Sequence, residues 1–356
     1  MLSSVSLPGL LLVFIAAAAA VWFAGIKLSD TTDVLSEHLG LGQALGGLIF
    51  LAIATNLPEV AIISSAAVSQ NLGIAIGNIL GGIAIQTVVL VVLDIFGVKG
   101  RYPLTYWAAS LDLVLEGVLV MAILMVVVMG TQVPSWLIFG RVEPSSILIL
   151  VLWIVGIWLI GKARTDLPWH EAGDAPGGQE EPHGMAKTKK MQDARDKGIS
   201  IRHSAAVFAV SAAVTLVAGV VLEESGKKIA GDIGMTGVLF GSTFLAAATA
   251  LPEVSTGLAS VRLGDYKLAV SDIFGGNAFL PVLFLLAGLL SGVAPLPQAH
   301  NTDIYLTGLG GVLTSVYIYG LIFRRRLRVL RMGVDSLIVL VLYVIGIVGL
   351  IAVAHG

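Results

Sequence analysis

Ten long apolar stretches constrain this chain more than any other feature of its sequence. They cover 7–26, 41–68, 73–98, 106–129, 146–161, 204–224, 235–262, 267–291, 303–323 and 335–354. Each is close to or above the roughly 17–25 residues that a helix needs to cross a bilayer. The stretches are continuous, whereas the strands of a membrane barrel alternate apolar and polar residues. We therefore expect an all-α polytopic membrane protein with ten transmembrane helices.

The composition of the chain excludes several classes of function. Only 12% of the residues are charged, against about a quarter in a soluble domain. The net charge of −2 argues against nucleic acid as a partner, and the absence of cysteine removes disulfides and thiolate metal sites. No nucleotide-binding loop or nucleophile elbow is convincing. The sequence thus predicts no enzyme and no cofactor, with the lipid bilayer as a partner.

One polar segment, 163–203, divides the chain into a first five-helix repeat (1–162) and a second (204–356). All but three of the 21 Lys and Arg residues lie in loops on the side of this linker. The positive-inside rule then predicts that the linker is cytoplasmic and that both termini lie outside, across a plasma (inner) membrane.

An internal repeat contains the candidate functional residues. Residues 50–60 (FLAIATNLPEV) and 244–254 (FLAAATALPEV) agree at nine of eleven positions, at an offset of 194. Five apolar stretches separate the copies, an odd number, so the second copy is inverted in the membrane relative to the first. Inverted repeats with broken helices that meet near the midplane are typical of secondary transporters.

Each copy of the motif places a carboxylate directly after a helix-breaking proline. Glu59 and Glu253 have no Lys or Arg near them in their own stretch, and a charge at the bilayer centre costs at least about 3 kcal/mol. Thr55 and Thr249 lie four residues earlier, on the same helix face. Hydroxyl, carbonyl and carboxylate oxygens are hard ligands, which suit Ca²⁺ or Na⁺.

The next stretch of each copy adds Asn78 or Asp272, followed by a pair of glycines that would let helices approach closely. Asp272 makes a third carboxylate beside Glu59 and Glu253. Either the glutamates bind cations or they are neutral hydrogen-bonding residues; we favour the first interpretation because the pair is symmetric.

These residues resemble the calcium/cation antiporter superfamily, which includes sodium/calcium exchangers and calcium/proton exchangers. The family pattern G-T-S-L-P-E, followed by G-N-x-x-G-S-N, compares here with ATNLPE (54–59) and GNILGGI (77–83). The second copy reads ATALPE (248–253) and SDIFGGN (271–277). The resemblance is specific at L-P-E, looser elsewhere, and implies a ten-helix inverted-repeat fold.

The resemblance also implies a central site in which Glu59 and Glu253 bind Ca²⁺. The other positions that it implies are the carbonyl groups of Ala52 and Ala246, the hydroxyls of Thr55 and Thr249, Asn78 and Asp272 bordering the counter-ion positions, and Asn56 in place of a family serine. Serines that help to hold Na⁺ in sodium-coupled members are replaced at four positions: Asn56, Ala250, Gly82 and Gly276.

We therefore expect a secondary antiporter that exchanges Ca²⁺ for Na⁺ by alternating access, with small inorganic cations as its partners. The third charge at Asp272 favours Na⁺, whereas the missing hydroxyls favour a calcium/proton exchanger. A cation channel with a glutamate selectivity ring is a third alternative. Asp112 and Glu116, spaced i, i+4 in the fourth stretch, either form a proton route or secondary site or are ordinary hydrogen-bonding residues.

Overall fold

The computed structural model describes residues 5–38, 53–166 and 201–355. The first half contains the helices α1 (Leu7–His38), α2 (Leu57–Val68), α3 (Leu72–Phe96), α4 (Leu104–Ala108), α5 (Leu111–Gly130) and α6 (Pro144–Asp166). The second half contains α7 (Ile201–Asp232), α8 (Gly237–Thr249, with a π-helical turn over Gly241–Leu245), α9 (Leu251–Arg262), α10 (Tyr266–Phe279), α11 (Leu283–Ser291), α12 (Asn301–Phe323) and α13 (Val334–His355). The strands β1 (Arg328–Val329) and β2 (Met332–Gly333) form a short antiparallel hairpin.

The all-α membrane fold is confirmed. Over the described ranges, eight helical segments are long and apolar enough to cross a membrane, and the bent pair α8–α9 makes a ninth. The second predicted span is described only from residue 53, where a helical turn over 53–55 leads through Asn56 into α2. Most of the predicted linker, 167–200, lies outside the described residues, and α6 and α7 flank it.

α1 and α7 extend well beyond their predicted apolar stretches. Each is 32 residues long, and the two pack along each other more extensively than any other pair of elements. Their polar ends continue as helix because no proline interrupts the second half of either helix. The two corresponding helices of the repeats are therefore in direct contact.

The two repeats also clasp each other through a reciprocal contact. A Cβ atom added to Gly25 of α1 would lie 2.6 Å from the Cγ atom of Pro252 in α9. A Cβ atom added to Gly219 of α7 would lie 2.6 Å from the Cβ atom of Ala61 and 3.1 Å from the carbonyl oxygen of Pro58, both in α2. The offset of 194 relates the glycines to each other and the prolines to each other. Each long helix thus packs against the motif helix of the opposite repeat.

A second close approach joins α3 to α8. A Cβ atom on Gly81 would overlap the Cα atom of Ser242, and one on Gly77 would lie 2.6 Å from the carbonyl oxygen of Val238. Only glycine fits where two backbones come this close. Gly77 and Gly81, which follow the first motif, therefore allow the broken span of the second repeat to pack closely against α3.

The described connections are joined at two opposite ends of the bundle, which are the two ends of α3. At one end Arg328 donates to the carbonyl oxygens of Gly100 (2.7 Å) and Asp94 (3.0 Å), which ties the hairpin to the end of α3. At the other end Gln70 donates to the carbonyl oxygen of Ser291 (2.9 Å). The grouping follows from the alternating direction of successive spans.

Candidate cation site

Two helix breaks position the motif carboxylates. The first repeat breaks at Asn56 and the second at Ala250, where α8 and α9 meet at a bend of 42°. The motif proline occupies the second position of α2 and of α9, where its missing N–H leaves no broken helical hydrogen bond. Glu59 and Glu253 consequently lie in the first turn of a helix, at the positive end of its dipole. The breaks predicted at the prolines are confirmed.

Both glutamates are buried and incompletely satisfied. Glu59 is 1% exposed and Glu253 is 5% exposed. Both carboxylate oxygens of Glu59, and Oε2 of Glu253, have no hydrogen-bond partner in the described part of the chain. The Thr249 hydroxyl lies beside Glu59 but donates to the carbonyl oxygen of Ala246 at 3.1 Å. Buried carboxylate oxygens without donors are costly, and a cation is a ligand that would satisfy them.

The third carboxylate belongs to the same cluster. Glu253 interacts electrostatically with both Glu59 and Asp272. Asp272 is half-buried on α10 and lines, together with Thr55, a cavity of about 70 Å³. No Lys or Arg is among the described residues that line this cavity. Within the described ranges, no three His, Asp or Glu side chains could hold a metal ion by themselves, so a cation here also needs neutral oxygens.

Gln86 supplies such an oxygen, and the sequence analysis did not select it. Gln86 is 1% exposed on α3, and its Oε1 atom has no hydrogen-bond partner among the described residues. A Cβ atom on Gly276 would lie 3.1 Å from this oxygen and 3.6 Å from Nδ2 of Asn56. The sequence contains a signal that could have selected Gln86, because this polar residue lies eight residues after Asn78, on the same helix face of an apolar stretch.

The other predicted residues have different surroundings. Asn78 is fully buried, and neither polar atom of its side chain has a partner in the described structure. It does not line the cavity with Asp272; its backbone N lies 3.1 Å from a Cβ atom added to Gly241 of α8. The Ala246 carbonyl oxygen accepts from the Ala250 N–H and the Thr249 hydroxyl, both at 3.1 Å, which engages both of its lone pairs. Ala52 lies outside the described residues.

The structure also defines the surroundings of three acidic residues outside the motifs. Glu116 lines the cavity and accepts a hydrogen bond from the Ser271 hydroxyl at 2.8 Å. Asp112, one turn earlier on α5, is not among the cavity-lining residues. Glu223 of α7, which the sequence analysis also passed over, is 1% exposed and accepts from the Ser65 hydroxyl at 2.9 Å.

A multi-pass membrane fold with buried carboxylates at two helix breaks is typical of an ion transporter. The particular class follows from comparison with known proteins. A family model described as "Sodium/calcium exchanger protein" matches residues 9–162 and 203–352. The chain belongs to this family.

Among individual proteins, the inner membrane protein YrbG of Escherichia coli (strain K12) is 26% identical over 284 residues, which cover 80% of each chain. The crystal structure of the H⁺/Ca²⁺ exchanger CAX has a TM-score of 0.62 at 12% identity, covering 97% of this chain and 87% of that one. A structure of the sodium-calcium exchanger NCX_Mj has a TM-score of 0.59 at 17% identity, covering 96% and 99%. The fold is therefore shared with both kinds of exchanger.

Proposed function

We propose that this protein is a secondary antiporter that exchanges Ca²⁺ for Na⁺ by alternating access, with Glu59 and Glu253 as the central ligands. The observation that carries the proposal is the pair of buried glutamates at the two helix breaks, with carboxylate oxygens that have no donor in the described chain. Ca²⁺ requires six to eight oxygen ligands and net negative charge, and each glutamate supplies both.

The remaining ligands are neutral oxygens and the third carboxylate. Thr55 and Asp272 share one cavity, and Gln86 presents an unpartnered amide oxygen near Gly276. We propose these groups as the rest of the binding site, with Asn56, Asn78, Thr249 and the carbonyl groups of Ala52 and Ala246 as the positions that the family resemblance implies. The engaged carbonyl of Ala246 would have to exchange a hydrogen bond for a cation during transport.

The choice of Na⁺ as the counter-ion rests on charge. Glu253 interacts electrostatically with Glu59 and Asp272, and no basic residue is among the described residues that line the adjoining cavity. This concentration of negative charge suits several monovalent cations in place of one Ca²⁺. H⁺ is the second candidate, and a specific observation favours it: Gly82 and Gly276 replace serines whose hydroxyls would help to hold Na⁺. The solved structure of an H⁺/Ca²⁺ exchanger also shares this fold.

The proposed orientation places both termini outside and the linker in the cytoplasm of a plasma (inner) membrane. The distribution of Lys and Arg supports the orientation, and the similarity to an inner membrane protein of Escherichia coli supports the choice of membrane.

Substitution of the two glutamates tests the site. We expect Glu59→Gln and Glu253→Gln each to abolish calcium exchange in proteoliposomes while the purified protein remains monodisperse, because each loses a charge but keeps its shape. Glu223→Gln is the matched control: it neutralises an equally buried carboxylate outside both motifs, whose two oxygens already accept hydrogen bonds from Ser65 and Ser69, and its transport should persist. Near-normal calcium flux in either motif variant would refute the site.

A further inference from the structure

The cavity beside Asp272 reaches away from the central carboxylates toward one end of the bundle. Its walls include Ile157 and Ile160 near the end of α6 and Leu268 at the start of α10. Both elements meet the membrane face from which the linker leaves. The cavity therefore extends from Thr55 and Asp272 toward the linker face.

Glu116 is the acidic side chain on the wall of this cavity that the proposed site does not use. It is 7% exposed, and its Oε1 atom accepts from the hydroxyl of Ser271, the residue directly before Asp272 on α10. The contact is local and tight, since a Cβ atom on Gly117 would lie 3.3 Å from the Phe274 ring. The carboxylate of Glu116 is thus held at the residue before Asp272, toward the linker-facing start of α10, and both acidic side chains line one cavity.

The indole of Trp153 indicates that the cavity holds water. Trp153 lines it and is 5% exposed, yet its Nε1–H has no acceptor among the described residues. Buried indole N–H groups normally find a partner, and a cavity of about 70 Å³ has room for water molecules that would accept the bond. A hydrated space that contains two carboxylates and has apolar walls concentrates cations, because low-dielectric walls focus the field.

We propose that this cavity is the passage between the central site and the linker face, and that Glu116 binds the passing cation there together with Asp272. This relay rests on the proposed function, since it requires that Glu59 and Glu253 take up a cation. Glu116 then affects the capture of cations from the linker face only. The relay assigns a transport role to a residue outside both repeated motifs.

Two variants separate the effect of the Glu116 charge from the effect of its hydrogen bond with Ser271. Glu116→Gln removes the charge but keeps an oxygen that accepts the Ser271 hydrogen bond. Ser271→Ala removes that bond and keeps the charge. If Glu116 captures cations, the first variant should raise the half-saturating Ca²⁺ concentration by about tenfold and the second should change it little. A merely structural role predicts the reverse order.

The assay is calcium exchange in inside-out and right-side-out membrane vesicles, with Ca²⁺ as the probe. We expect Glu116→Gln to weaken saturation at the linker face alone, while Asp112→Asn, which neutralises a carboxylate one turn away and off the cavity wall, leaves both faces unchanged. An equal effect on both faces, no effect, or an equal effect of Ser271→Ala would overturn the relay while the proposed function stands. Absence of calcium exchange in wild-type vesicles would instead refute the proposed function and the relay with it.

Discussion

The reciprocal clasp between the repeats predicts that alanine is poorly tolerated at two glycines. The Cβ atom of Gly25→Ala would lie 2.6 Å from Pro252, where ordinary contacts begin at 3.4 Å, so α1 and α9 must separate by about 0.8 Å. Gly219→Ala meets Ala61 at the same distance. Overpacking of this kind costs about 1–3 kcal/mol, and here the obstacle is a rigid ring or a methyl group on a helix.

Thermal unfolding of the protein in detergent measures this cost. Gly308→Ala is the control, since Gly308 is an exposed position in α12 with no described atom within 4 Å of its added Cβ. It should gain up to about 1 kcal/mol from helix propensity, whereas Gly25→Ala and Gly219→Ala should both unfold several degrees below it. Equal midpoints for all three variants would refute the close packing of each long helix on the opposite motif.

Four further predictions concern pH and the linker. Protons compete with Ca²⁺ for carboxylate oxygens, so the half-saturating Ca²⁺ concentration should rise as pH falls; a pH-independent value in flux assays would contradict this. Burial raises the pKa of Glu143, in the loop before α6, above its usual 4.5. The contribution of Glu143 to the stability of the fold is therefore complete below the usual pKa and is lost as the pH rises through the raised pKa. Glu143→Gln should remove this loss from unfolding midpoints measured across the acidic range, and an unchanged pH profile would contradict it. Shortening the linker should preserve transport, because the composition of the linker provides no hydrophobic core. A cysteine placed at Gly178 should not react with impermeant reagents applied to intact cells, and labelling there would contradict the orientation.

The architecture was predictable from the sequence because periodic and repeated features determine it. The apolar stretches, the motif prolines and the offset of 194 predicted the helical membrane fold and the breaks beside Glu59 and Glu253. These features depend on local chemistry, namely hydropathy and the missing donor of proline.

Contacts between distant elements were not predictable in this way. Gln86 approaches Gly276 across 190 positions, and Glu116 meets Ser271 across 155. Neither pair belongs to a repeated motif, because Gln86 aligns with Leu280 in the second copy. Such contacts arise from how α3 and α5 pack against α10, which one sequence does not encode in a local pattern.

Uphill accumulation of Ca²⁺ tests the central claim most directly. Proteoliposomes that contain the wild-type protein are given equal Ca²⁺ on both sides, with no membrane potential and an opposing Na⁺ gradient. The account predicts accumulation above the equal concentration, which collapses when the gradient is dissipated and is absent in Glu253→Gln. Accumulation driven by a pH gradient and not by Na⁺ would keep the antiporter and replace the counter-ion. Calcium movement that only ever follows its own gradient would contradict exchange and identify a channel.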